Sequence, residues 1–181
     1  MERGRIFIIS GLSGAGKSAV VKYILSHRKD TVKAVSYTTR EERSDEVDGK
    51  DYFFIDKNHF LKKIEDGFFL EFGEVYGHLY GTGLDSFKPV EEGKDVIKGI
   101  DVQGALKLKK MGIKAFFIFL KAPKAVIRRR LQKRGEAEIK IRMHEESHEL
   151  KESKNFDVVI DTSGTEKGIP KNAEKVMKAM E

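Results

Sequence analysis

The sequence predicts an α/β fold, a parallel sheet core flanked by helices and carrying a small mixed α/β insert. Three observations carry that expectation. Short apolar runs alternate with segments whose apolar residues recur every three or four positions. A glycine-rich loop joins the first such run to the first helix. Between Ser36 and Val90 the texture changes to brief aromatic runs around one helix, as expected of an insert on the main sheet.

Taken in order, core strands are expected at Arg5 to Ile9, Lys33 to Ser36, Asp95 to Ile100, Ala115 to Leu120 and Asp157 to Ile160. Helices are expected at Gly16 to His27, Val102 to Met111, Pro123 to Arg134, Ile139 to Lys154 and Pro170 to Met180. Pro123 and Pro170 suit first-turn positions, where a missing N–H leaves no bond unmade. In the insert, Tyr52-Phe53-Phe54-Ile55 and Phe68-Phe69-Leu70 flank a helix over Lys57 to Asp66, with Asp56 as its N-cap.

Composition narrows the function classes. The 181 residues include no cysteine, which excludes disulfides, thiolate metal sites and cysteine nucleophiles and suits a reducing compartment. Met1-Glu2-Arg3-Gly4 leads straight into a strand-like run without the features of a signal peptide, so a cytoplasmic location is expected. No apolar run approaches membrane-spanning length. The 35 Lys and Arg outnumber the 29 Asp and Glu, giving +6, a balance that favours polyanionic ligands. An aromatic and basic platform for nucleic acid is missing, which leaves phosphorylated small molecules as the expected partners. Nothing in the sequence specifies an oligomeric state.

Gly11-Leu12-Ser13-Gly14-Ala15-Gly16-Lys17-Ser18 fits G-x-x-x-x-G-K-S, between a strand and a helix as that motif requires. Glycines let the backbone wrap phosphates with its N–H groups turned inward, and the helix that follows adds the positive end of its dipole. Lys17 is expected on the β and γ phosphates, and the Ser18 hydroxyl on Mg²⁺. This is a nucleoside triphosphate site. The loop alone does not choose among motor ATPases, GTPases, helicases and small-molecule kinases.

A second set of residues narrows the choice. Ser36-Tyr37-Thr38-Thr39-Arg40-Glu41-Glu42-Arg43, then Glu46 and Gly49-Lys50-Asp51-Tyr52, put two arginines and a tyrosine on the insert. Arg40 and Arg43 can grip a second phosphate through bidentate hydrogen bonds, with the Tyr52 hydroxyl as a further donor. Singly, each reads as ordinary surface or packing; their joint spacing is what points to a ligand.

At these residues the sequence resembles the guanylate kinase family. The resemblance covers nearly the whole chain through the glycine-rich loop, S-Y-T-T-R-x-x-R, G-K-D-Y, Leu70-Glu71-Phe72, Tyr80-Gly81-Thr82, Ile100-Asp101-Val102-Gln103-Gly104 and Arg130-Leu131-x-x-Arg134-Gly135. It implies a P-loop nucleoside monophosphate kinase fold with a core of residues 1–35 and 91–181, a GMP-binding insert at 36–90 and a lid at about 134–142. It also implies transfer of the γ-phosphate of Mg·ATP to GMP, and to dGMP.

Carried over by residue, Gly11, Ser13, Gly14, Ala15, Gly16, Lys17 and Ser18 hold ATP, with Arg130 and Arg134. Arg40, Arg43, Tyr52 and Tyr80 hold the GMP phosphate, with Glu46 supporting the arginines. Ser36, Glu71, Thr82 and Asp101 face the nucleoside, and Lys17, Arg40, Arg134 and Arg142 act on the transferring group. Glu71 is the expected base reader, because one carboxylate can accept both N1–H and N2–H₂ of guanine whereas adenine offers an acceptor at N1. Ser36 and Thr82 hydroxyls can donate to guanine O6. Arg128 and Arg129 are expected on an exposed basic face.

The chain departs from the family pattern in places. Gly99 stands two before Asp101 where an acidic residue is common, Asp45 stands where glycine usually precedes the glutamate, the lid is short, and an adenine-contacting Asn-Asp pair is missing near Asp161-Thr162. His144-Glu145-Glu146-Ser147-His148 matches H-E-x-x-H, but its charged helix offers only Met143 and Leu150 for burial and so no dry zinc pocket. Two rivals remain. A kinase of another phosphorylated acceptor such as ribose 1,5-bisphosphate is opposed by Glu71, and a non-catalytic phosphopeptide-binding module is opposed by the intact Lys17 and Ser18.

Overall fold

In chain order the strands are β1 (Ile6–Gly11), β2 (Thr31–Lys33), β3 (Ser36–Thr38), β4 (Tyr52–Phe54), β5 (Phe69–Val75), β6 (His78–Gly83), β7 (Asp95–Gly99), β8 (Phe116–Lys121) and β9 (Val158–Asp161). The helices are α1 (Lys17–His27), α2 (Lys57–Glu65), α3 (Val102–Lys110), α4 (Lys124–Lys133) and α5 (Ile169–Ala179), and residues 148–152 are also helical. The computed structural model describes residues 2–133, 148–163 and 168–181.

Two sheets organise the chain. One has five strands in the order β2-β7-β1-β8-β9, with every neighbouring pair parallel. Its inner strands are near-continuous apolar runs because helices cover both faces; Ile8, Ile9, Ile97, Ile118 and Phe119 are wholly buried. Strand order reverses beside β1, and the crevice at the carboxyl ends of such strands is where ligands bind in open α/β sheets.

The other sheet, of order β4-β3-β6-β5, mixes a parallel β3–β4 pair with antiparallel β3–β6 and β5–β6 pairs. Aromatic rings fill its small core: Phe60 of α2 stacks on Phe69 at 4.5 Å between centroids, and Tyr37 stacks on Phe53 at 4.7 Å. Asp56 caps α2 as expected, its Oδ1 accepting from His59 N at 2.9 Å.

The run Lys33 to Ser36, expected as one strand, divides between the sheets. Ala34 N still donates to Ile97 O at 2.9 Å, but Ser36 already pairs with Tyr52. Buried Ala34, packed with Val90 and Val96, anchors the crossing. The chain thus changes sheets within two residues and leaves Ser36 at the junction. The other core strands and helices lie within a residue or two of their expected bounds, apart from Ile139 to Lys154, much of which falls outside the described residues. Among the described residues no helix is long and apolar enough to cross a membrane.

Candidate active site

One cleft of about 840 Å³ runs between the two sheets. It is lined by Ser13, Gly14, Gly16, Lys17 and Ser18 of the glycine-rich loop and by Arg40, Arg43, Tyr52 and Tyr80 of the second sheet and its loops, with Ser36, Glu71 and Asp101 also on the wall.

Local geometry builds the loop. Gly11, at φ +130°, closes β1 so near β8 that a Cβ there would lie 2.0 Å from Leu120 O, which only glycine avoids. Gly16, at φ +99°, is the N-cap of α1 and provides no side-chain cap, so the first N–H groups of the helix remain open to an anion. Lys17 Nζ donates to the carbonyl oxygens of Gly11 at 2.6 Å and Leu12 at 3.2 Å, folding its charge over the loop. Behind the loop, Arg130 Nη1 donates to Gly14 O and Ala15 O at 3.2 and 3.1 Å, and Nη2 donates to Thr162 O at 2.9 Å. Thr162 Oγ1 donates to Ala15 O at 2.7 Å, tying β9 to the same turn.

Beside the arginines, Glu46 is the organising anion. Its carboxylate accepts from Arg40 Nη2 and, at 3.0 Å, from Arg43 N, while Glu46 N donates to Arg43 O at 3.1 Å. Thr38 Oγ1 accepts from Arg40 N at 3.1 Å. Burial opposes the charge on Arg40, but the hydrogen bonds it donates to Glu46 and Tyr80 and the Glu46 charge outweigh it and raise its pKa, so the guanidinium is firmly cationic. Burial also pushes the Tyr52 hydroxyl up to about 12, which keeps it a proton donor near neutral pH. Strand register brings these groups together, since Ser36 pairs with Tyr52 and Thr38 with Tyr80.

The wall that carries Glu71 is set by a bulge. Phe69 pairs with Gly83 but Glu71 pairs with Thr82, so one extra residue on β5 puts Glu71 directly opposite Thr82. Thr82 Oγ1 donates to Glu71 Oε1. Burial raises the Glu71 pKa, against the opposing pull of the Thr82 hydrogen bond and the charge of Lys98. A Cβ on Gly104 would come within 3.3 Å of Glu71 Oε2 and 2.6 Å of Ile100 Cδ1, so the absent side chain keeps room for the carboxylate. Asp101 Oδ1 caps α3 through Gly104 N at 2.9 Å.

Comparison with known proteins matches this arrangement to one family. The Guanylate kinase family model matches residues 3–180. The chain belongs to the guanylate kinase family. It is 46% identical over 164 residues to a guanylate kinase of Thermotoga maritima, covering 87% of this chain and 79% of that one. It is 39% identical to a guanylate kinase of Caldanaerobacter subterraneus over 94% of this chain and 85% of the relative. The crystal structure of guanylate kinase from Anaplasma phagocytophilum superposes with a TM-score of 0.76 at 28% identity, covering 99% of this chain and 86% of that one.

Against that family pattern, most residues singled out in the sequence lie on the cleft, and a few stand elsewhere. Thr82, expected to face the nucleoside, is wholly buried behind Glu71 and spends its hydrogen on that carboxylate. Arg130, expected on ATP, borders a smaller cavity with Ala15, Gly16, Ala19 and Asn172, because the loop carbonyls draw its guanidinium behind the turn. Gly11 supports the loop from beneath rather than lining the cleft. Arg128 and Arg129 are exposed, in line with a basic face. Arg134, Arg142, the lid and most of H-E-x-x-H lie outside the described residues.

The departures take on physical meaning. A Cβ at Gly99 would meet only Val21 Cγ2, at 3.7 Å, so packing does not exclude a side chain there. Asp45 is exposed and carries no left-handed strain, since Tyr76 is the one non-glycine with positive φ among the described residues. No group of three or more metal-ligating side chains occurs among the described residues. The Ser18 hydroxyl on the cleft wall nevertheless suits Mg²⁺, a hard cation that takes one or two protein oxygens alongside substrate phosphates and water. Sequence reasoning missed Lys98, for which a lone lysine in an apolar strand was the available signal, and quoted Gly104 within a motif without giving it a role.

Proposed function

We propose that the cleft binds Mg·ATP at the glycine-rich loop and GMP at the arginines, and that the chain transfers the γ-phosphate to give ADP and GDP. A guanylate kinase joins these two substrates head to head. The single observation that carries the assignment to these residues is that one cleft is lined by Lys17 and Ser18, by Arg40, Arg43, Tyr52 and Tyr80, and by Glu71. Residues 36–90 then act as the acceptor domain on a core of residues 1–35 and 91–181.

The chemistry is in-line displacement. An oxygen of the GMP phosphate forms a bond to the γ phosphorus as the bond from that phosphorus to the β–γ bridging oxygen breaks, and ADP leaves with the electron pair. No general base is needed, because a phosphate monoester with a second pKa of about 6 is already largely dianionic near neutral pH. The protein supplies position and charge. Arg40, Arg43, Tyr52 and Tyr80 hold the acceptor phosphate, Glu46 fixes the arginines, and Lys17 with the α1 N-terminus neutralises the donor phosphates. Arg134 and Arg142 complete the donor side by family pattern, Ser18 offers its hydroxyl to the Mg²⁺ carried by ATP, and Arg130 acts by holding the loop. Mg²⁺ contributes charge neutralisation on the phosphates.

Glu71 reads the base by accepting N1–H and N2–H₂ of guanine. dGMP is a second acceptor, because the assigned contacts fall on phosphate and base. A chain without cysteine and with this role in purine nucleotide metabolism belongs in the cytoplasm. The test is a coupled ADP-release assay with ATP against GMP, dGMP, AMP, CMP, UMP and ribose phosphates. GMP and dGMP should dominate, and turnover of AMP without GMP would overturn the assignment.

A further inference from the structure

Lys98 has no solvent exposure, which is rare for lysine. It lies on β7, opposite Ile8 of the central strand, and its Nζ donates to Ser36 Oγ. Ser36 forms part of the cleft wall and Lys98 stands behind it. Charges reach Lys98 from several elements: Glu71 on β5, Asp101 at the head of α3 and Lys33 on β2.

An ammonium has three hydrogens and no lone pair, so it acts only as a donor. A serine hydroxyl has one hydrogen and two lone pairs. When Lys98 occupies a lone pair of Ser36, the serine hydrogen must turn to another acceptor, and the charged donor behind it strengthens that outgoing bond. Thr82 is committed elsewhere, because its hydrogen goes to Glu71 Oε1. The wall therefore presents fixed polarity: acceptor capacity at Glu71 and a donor at Ser36. Guanine offers the complement, donors at N1 and N2 and an acceptor at O6, whereas adenine offers a donor amine at position 6. Burial lowers the Lys98 pKa to about 8, with Glu71 and Asp101 opposing that shift and Lys33 adding to it, so the ammonium form still prevails at pH 7.

We infer that Lys98 is a specificity-determining positioning residue, which by donating to Ser36 fixes that hydroxyl as a donor to the 6-oxo group of the acceptor purine. The inference rests on the acceptor reading given above. Lys98 touches neither substrate nor reacting atoms; its effect passes through Ser36.

The experiment compares kcat/KM for GMP and 6-thio-GMP, whose sulfur is a weak acceptor, at pH 7 and saturating ATP in wild type, Lys98→Met, Ser36→Ala and the double variant. Wild type should prefer GMP, Lys98→Met should cut that preference roughly tenfold, about 1.4 kcal/mol, and the double variant should lose no more than Ser36→Ala. The KM for ATP should stay constant. Equal loss of both acceptors in Lys98→Met, or a preference that falls in Ser36→Ala alone, overturns the inference. If Lys98→Met fails to fold, nitrogen NMR of the wild-type lysine side chains decides: GMP should raise the Lys98 titration midpoint more than 6-thio-GMP does, and equal midpoints overturn the proposal. Wild type inactive on GMP would instead refute the acceptor reading itself.

Discussion

A single guanidinium nitrogen of Arg40, Nη2, contacts both carboxylate oxygens of Glu46, at 2.7 and 2.8 Å. Both side chains are largely buried, with 13% and 14% exposure. Glu46 also accepts from the backbone of Arg43, so one carboxylate orders the two arginines assigned to the acceptor phosphate. Glu46→Gln removes the charge and one acceptor. The KM for GMP should rise roughly tenfold, reflecting about 1–2 kcal/mol of lost orientation, while the KM for ATP is unchanged. Steady-state titration of each substrate measures the split, and an equal rise in both would contradict this role.

Glu71→Gln is expected to keep the fold and lose the base. Its remaining carbonyl oxygen can still accept from Thr82, but its amide sets a donor opposite the donors of guanine. kcat/KM for GMP should fall by roughly 10²–10³ with ATP binding intact. Competition kinetics with ATP and GMP varied in turn would expose a shared loss, which would remove Glu71 from base recognition.

Lys17→Ala should separate binding from chemistry. Lys17, assigned to the donor phosphates, holds its amine over the carbonyls of Gly11 and Leu12. Removing it should lower kcat by roughly 10²–10³ and leave the Kd for GMP nearly unchanged. Calorimetric titration of GMP beside a turnover assay makes the comparison, and retained turnover would exclude Lys17 from the mechanism.

Lys98 also has a signature in stability. Its folded pKa of about 8 lies below the ordinary 10.5. Between those values the unfolded chain holds a proton that the folded chain has released, so rising pH favours the folded state. The Tm of wild type minus that of Lys98→Met should climb across this window and stay level just below it. Thermal melts at stepped pH measure the difference; a flat line throughout would mean that burial does not depress this lysine.

Much of this molecule was legible from local chemistry. The alternation of runs, the loop from Gly11 to Ser18 and the Asp56 cap follow from periodicity, glycine freedom and side-chain capping, each acting over a few residues. The spacing of Arg40, Arg43 and Tyr52 pointed to a ligand, and the family resemblance added Glu71; all four line the cleft. Tertiary structure decided the rest. The two-residue passage from one sheet to the other at Ala34, the bulge that sets Glu71 against Thr82, the withdrawal of Arg130 behind the loop and the place of Lys98 at the back of Ser36 all depend on partners far along the chain. Periodicity tells which face of a strand is apolar, but only strand register and the packing of one sheet against another decide which distant atom stands behind a given side chain.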